Sequence, residues 1–180
     1  MADVRIALLR GINVGRAKRV AMADLRAIVE GLGYRQVRTL LNSGNVVFTV
    51  PPHVRGDAGA RIEQALVSGT GVSSRVTVFT AAELGDVVRD YPLADFATDA
   101  SRALVAFLAR PSDLARVRPL LDERWDPERL ALGRRVAYLW CPDGISASRL
   151  PVALGGALGD AVTTRNWATV LKLERMCAGG

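Results

Sequence analysis

Residues 37–50 read Val-Arg-Thr-Leu-Leu-Asn-Ser-Gly-Asn-Val-Val-Phe-Thr-Val, two strand-like runs (Val37 to Leu41, Val46 to Val50) around the tetrapeptide Asn42-Ser43-Gly44-Asn45. Asn and Gly accept the positive φ that a tight reversal needs, so the stretch predicts a β-hairpin. Pro51-Pro52 ends it. Upstream, Val4 to Leu9 is a short apolar run closed by Arg10-Gly11, which suits a strand. Met22, Leu25, Ile28, Val29 and Leu32 then recur at helical spacing before Gly33. Downstream, Ala58, Ile62, Ala65 and Leu66 mark a second helix ending near Gly69 to Gly71, and Arg75 to Thr80 alternates as a fourth strand. The hairpin is therefore the centre of a βαββαβ unit.

The second half repeats that order without obvious sequence identity. Ala103 to Leu108 reads as a strand, Pro111-Ser112-Asp113 opens a helix through Leu121, and Arg129 to Leu132 with Arg135 to Trp140 flank Gly133 as a hairpin. Ser146 to Leu158 reads as a glycine-interrupted helix, Ala161 to Thr164 as a short strand and Asn166 to Met176 as a terminal helix. Ala81 to Tyr91 is a connecting helix, which Pro92 breaks. The expected fold is α+β, two tandem ferredoxin-like (alpha-beta plait) subdomains. Residues 1–80 form the first, 81–100 the connection, and 101–180 the second with its terminal helix.

A chain of 180 residues, 49% hydrophobic, is long enough for one domain or two small ones. No apolar run approaches the ~18 residues of a membrane span, and Val4 to Leu9 is too short for a signal segment, so the expectation is a soluble cytoplasmic protein. Cys141 and Cys177 stand apart with no paired motif, which argues against a disulfide framework or a zinc site. The net charge of +6 is uneven: residues 1–80 hold 11 Lys/Arg against 5 Asp/Glu, residues 81–180 hold 13 of each. A basic first half invites a polyanion, but 22 of the 24 cations are arginine, which GC-rich coding also produces.

A right-handed crossover makes strands 1 and 2 of the unit parallel, so the loop after strand 1 and the hairpin after strand 2 leave the sheet at the same end. Arg10-Gly11-Ile12-Asn13-Val14-Gly15 therefore neighbours Asn42-Ser43-Gly44-Asn45. Two glycines and an asparagine let backbone N–H groups turn inward, and Arg10, Arg16, Lys18 and Arg19 favour an anionic guest. The same loop also reads as a structural turn, with Gly11 and Gly15 at positive φ and Asn13 bonding its own backbone. It is neither a Walker loop nor a dinucleotide fingerprint.

These residues carry a family likeness. Ala7-Leu8-Leu9-Arg10-Gly11-Ile12-Asn13-Val14-Gly15, Met22, Leu25 and Asn42-Ser43-Gly44-Asn45-Val46-Val47-Phe48 resemble the family known as domain of unknown function 1697. Thr163-Thr164-Arg165-Asn166-Trp167 with Thr169, Val170, Lys172 and Leu173 is similar to its closing motif, so the likeness extends over essentially the whole chain. The resemblance implies bacterial proteins with two ferredoxin-like subdomains and no assigned activity. Leu41 stands where that family usually has Gln, and Ala17 where a polar residue is expected. In the closing motif Thr164 or Asn166 suits a helix cap, while Arg165 is not needed for capping and is the residue expected to reach a ligand or the other subdomain.

Conventional catalysis is poorly supplied. His53 is the only histidine, in a loop after Pro51-Pro52; Cys141 reads as a buried strand end; Asp122, Glu123, Asp126 and Glu128 read as a solvated helix end rather than a metal site. RNA recognition on such a sheet needs exposed aromatics; the first unit offers Phe48 alone, the second Tyr138 and Trp140 on one face. The expectation is a protein that binds a small anionic ligand, a nucleotide or phosphorylated metabolite, with no cofactor, metal or reaction assigned. The candidate residues are Arg10, Gly11, Asn13, Gly15, Arg16, Lys18, Asn42, Ser43, Gly44, Asn45, Arg165 and Asn166. The alternatives are a nucleic-acid-binding module using the basic half, or a scaffold or interaction protein, with a homodimer open in each case and no membrane partner.

Overall fold

In the computed structural model, which describes residues 2–179, β1 (Asp3–Leu9) pairs antiparallel with β3 (Asn45–Val50), Ile6 lying opposite Val47 and Leu8 opposite Asn45. β1 also pairs with β4 (Val76–Thr80), and β3 with β2 (Arg35–Leu40), giving the order β2-β3-β1-β4. Both β1 and β2 are antiparallel to β3, so they run the same way with β3 between them. Helix α1 (Met22–Gly31) is the crossover that joins them, and α2 (Ala58–Thr70) makes the matching crossover from β3 to β4. Asp57 caps α2 by accepting from the Ala60 amide at 3.0 Å, and Gly71 at φ +72° ends it.

The period-two pattern decides what each strand buries. Ala7 and Leu9 of β1 and Val46 and Phe48 of β3 cluster with Leu25, Val29, Ile62 and Leu66 of the two helices. The intervening Ile6, Leu8 and Val47 are buried as well, as a run apolar on both faces requires.

The second sheet repeats the first. β5 (Ala103–Leu108) lies between β7 (Val136–Trp140) and β8 (Val162–Asn166), and β6 (Arg129–Leu132) pairs with β7 at the edge, in the order β6-β7-β5-β8. Leu104, Ala106 and Leu108 of β5 cluster with Leu150, Leu154 and Leu158 of α5 (Leu150–Leu158). The chain divides into two compact units, Met1–Leu84 with Leu173–Gly180, and Gly85–Lys172. The divisions fall inside α3 (Ala81–Arg89) and inside α6 (Trp167–Ala178), whereas the sequence reads as a separate connection over 81–100 and a terminal helix within the second subdomain. Described residues thus form two four-stranded antiparallel sheets and six α-helices.

Three elements differ from expectation. The helix expected from Pro111 to Leu121 is reduced to α4 (Leu114–Val117) between two 3-10 turns, because Pro119 has no N–H to continue it. The helix expected from Ser146 starts at Leu150, since Ser148 is extended at ψ 143°. The last strand runs on to Asn166, pairing Arg165 with Val105, so α6 begins at Trp167.

Candidate functional site

Parallel β1 and β2 bring the loop after β1 and the turn after β2 to one end of the first sheet, and hydrogen bonds tie them there. The Asn13 side-chain amide donates to the Asn42 carbonyl at 2.7 Å and to the Val20 carbonyl at 2.8 Å, while its oxygen accepts from the Val20 amide at 2.9 Å. The Leu9 amide donates to the Gly44 carbonyl at 2.8 Å. Asn13, Lys18 and Leu41 hold left-handed backbone at φ +55°, +50° and +57°, as do Gly11, Gly15 and Gly44. In the hairpin, Asn45 is fully buried and its amide donates to the Leu40 carbonyl at 2.8 Å and the Ser43 hydroxyl at 2.9 Å. Both asparagines therefore shape backbone, the structural alternative the sequence leaves open for Asn13.

Beside this junction lies an open depression of about 370 Å³, lined by Asn13, Arg19, Val20, Ala21, Met22 and Asn42. It sits at the start of α1, where the N-cap residue is Ala21 and no side chain caps the helix. The first-turn N–H groups and the dipole leave partial positive charge there. Arg16, Lys18 and Arg19 are exposed and form no ion pair among the described residues. Asp24, exposed on the first turn of α1, works against an anion. The arrangement can hold a negative group by electrostatics and backbone donors.

Among the predicted residues, Asn13 and Asn42 line the depression, whereas Arg10, Gly11, Gly15, Arg16, Lys18, Ser43, Gly44 and Asn45 do not. Arg10 is half-buried, its amide held by the Ser74 hydroxyl at 3.0 Å and the Arg75 carbonyl at 2.9 Å. Arg165 and Asn166 belong to the second unit. Asn166 caps α6, accepting from the Thr169 amide at 2.9 Å. Arg165, only 9% exposed, donates to the Thr164 carbonyl at 2.8 Å, and burial pulls its guanidinium down to about 10, which leaves it a cation at neutral pH.

Other candidates resolve into packing. His53 is exposed in its loop. Cys141 is buried and desolvation raises its thiol pKa, the opposite of an activated nucleophile. Within the acidic cluster, the buried Glu128 accepts from the amides of Arg149 and Leu150, both at 2.9 Å, capping α5. Phe48, Tyr138 and Trp140 are buried at 0%, 2% and 8% exposure, so these sheet aromatics offer no open stacking platform. No helix among the described residues is long and apolar enough to cross a membrane.

Sequence reasoning missed Ser74 and Ala21 as site-forming residues and named Arg19 only as one of the cations beside the loop. Ser74 is 5% exposed and its hydroxyl donates back to the Arg10 carbonyl at 2.8 Å. Register was the available signal: β4 pairs antiparallel with β1, so the residue just before β4 must meet the residue just after β1. For Ala21, the missing Ser, Thr, Asp or Asn before the helical run was itself the signal.

None of the curated proteins matches the chain. A solved structure, a conserved bacterial protein SP0830 from Streptococcus pneumoniae, matches with a TM-score of 0.77 at 22% identity, covering 99% of each chain. At that identity the likeness is one of fold. A family model described as a protein of unknown function, DUF1697, matches residues 2–138, which leaves the closing motif at Thr163–Leu173 outside the matched span. The match takes in the strand, loop, helix and hairpin that frame the depression, and the chain belongs to the DUF1697 family.

Proposed function

We infer that the protein binds a small anionic ligand, a nucleotide or phosphorylated metabolite, in the cytoplasm, at the mouth between the Arg10–Gly15 loop, the Asn42–Asn45 turn and the start of α1. The reading includes a ferredoxin-like plait in each unit, supported by the strand order β2-β3-β1-β4 and its repeat. The observation that carries it is the Asn13 to Asn42 hydrogen bond of 2.7 Å, which holds two loops together beside a side-chain-uncapped helix N-terminus. Helix starts with exposed donors favour phosphate and carboxylate groups, and Arg19 on the lining adds a full charge. Asn13 and Asn45 serve this site by fixing its walls.

A ligand selective for the folded state stabilises it by RT ln(1 + [L]/Kd), about 2.7 kcal/mol at a hundredfold excess over Kd. Sugar phosphates and nucleoside triphosphates should therefore raise the melting temperature. Arg19→Glu should remove that rise while leaving the melting temperature without ligand nearly unchanged, because Arg19 is exposed. Absence of any rise, or an equal rise in the variant, refutes the assignment.

A further inference from the structure

The opposite end of the first sheet holds a larger cavity, about 650 Å³, which the sequence did not point to. Six residue steps of β1 separate Asp3 from Leu9, so the two ends lie ~20 Å apart at strand rise. Its volume falls in the ~300–1,000 Å³ range of small-molecule sites. Half-exposed Val50, Pro51 and Val54 form an apolar wall beside the buried Tyr34, and the guanidinium-bearing residues Arg5, Arg35 and Arg55 also line the cavity. Arg5 is engaged with Asp3 through donations of 2.9 and 2.7 Å, which also hold the Asp3 carboxyl below its ordinary pKa. Arg35 and Arg55 are exposed and pair with no carboxylate among the described residues.

The walls are built and held. Arg35 faces Thr49 but the next pair is Arg38 with Val47, so an extra residue bulges from β2, with Gln36 at φ +50°. A bulge bends its strand and re-aims the flanking side chains. The Thr49 hydroxyl donates to the Gln36 side-chain oxygen at 2.8 Å and secures it. Across the cavity, Arg61 donates to the Arg55 carbonyl at 3.3 Å and the Leu32 carbonyl at 2.9 Å while lying over the Tyr34 ring, which fixes the loop after Pro52.

We propose that this cavity is a second binding site, for a small organic anion whose apolar body rests on Val50, Pro51 and Val54 and whose carboxylate or phosphate meets Arg35 and Arg55. Two unpaired guanidiniums recognise either anion, and the apolar wall demands a body that a bare inorganic ion lacks. The site is independent of the one at the α1 end.

The test is an amide-resolved NMR titration with 4-fluorobenzoate, 4-fluorophenyl phosphate and inorganic phosphate. The expected result is saturable shifts of the Arg35, Thr49, Val54 and Gly56 amides with at least one aryl anion, at an affinity roughly tenfold or more above that of inorganic phosphate. Comparison of the two aryl anions tells carboxylate from phosphate. The double variant Arg35→Ala/Arg55→Ala should weaken binding at least about tenfold, and Arg35→Lys/Arg55→Lys should retain part of it. Shifts confined to Asn13 and Ala21, no shifts at all, equal affinity for inorganic phosphate, or unchanged binding by the double alanine variant would each overturn the proposal. Because the two ends report on different amides, either site fails or survives alone.

Discussion

Gly44 is the residue on which the loop junction closes. A Cβ built there would lie 2.6 Å from the Leu9 Cβ and 2.9 Å from the Ile12 Cδ1, at a backbone φ of +81°. Gly11, at φ +66°, has nothing within 4 Å of the same construction. Both positions charge any L side chain for left-handed backbone, and only Gly44 adds a collision with buried neighbours. Gly44→Ala should thus cost roughly 2–4 kcal/mol and Gly11→Ala about 1–2 kcal/mol, read from urea unfolding midpoints. Equal costs would mean that the hairpin and the loop do not press together as described. Asn13 obeys the same logic through hydrogen bonds: Asn13→Ala leaves the Val20 amide and the Val20 and Asn42 carbonyls each short of a partner, a loss of about 1–3 kcal/mol by the same measurement. The turn chemistry of both stretches was legible because positive φ selects Gly and Asn locally. That the Asn13 amide bonds the Val20 and Asn42 backbone was not, since nothing in the order of residues says which way an amide turns.

Elements show where local signals stop. Strands and helices of the first unit fall within a residue or two of their expected bounds, because apolar period and flanking Gly or Pro are properties of neighbours in sequence. Helix α5 is the contrary case: its start is set by Glu128, some twenty positions upstream, whose carboxylate accepts from the amides of Arg149 and Leu150. Seen in sequence, Glu128 is one of four acids near Trp125; in the fold it is a buried helix cap. Glu128→Ala should cost about 2 kcal/mol, with Glu128→Gln costing less because one acceptor oxygen remains. Thermal unfolding followed by circular dichroism decides it. A loss of only a few tenths for the alanine variant would return Glu128 to the solvated surface.

At the scale of the whole molecule, the doubled βαββαβ order was readable, while the burial of Tyr138 and Trp140 depends on what faces a sheet and was not. In the second unit Tyr91 stacks on Trp167 with ring centres 3.9 Å apart and meets Tyr138 edge-on at 5.5 Å. The Tyr138 hydroxyl donates to the Val87 carbonyl at 3.0 Å, whereas the buried Tyr91 hydroxyl has no hydrogen-bond partner among the described residues. Burial pushes both phenols up to about 12. Their unfolded value is about 10, so between these limits the unfolded chain has lost protons the native state keeps, and stability falls as pH rises. The contribution is complete below about pH 10 and gone above about 12, worth roughly 2 kcal/mol for the almost fully buried Tyr138. Tyr138→Phe should flatten that alkaline decline and lose about 1 kcal/mol near neutrality with its hydrogen bond. Tyr91→Phe removes an unpaired buried hydroxyl and should gain up to about 1 kcal/mol. Urea unfolding between pH 8 and about 11.5, with tyrosinate absorbance in parallel, separates the two; a decline of the same slope in Tyr138→Phe would show that other groups carry the alkaline transition.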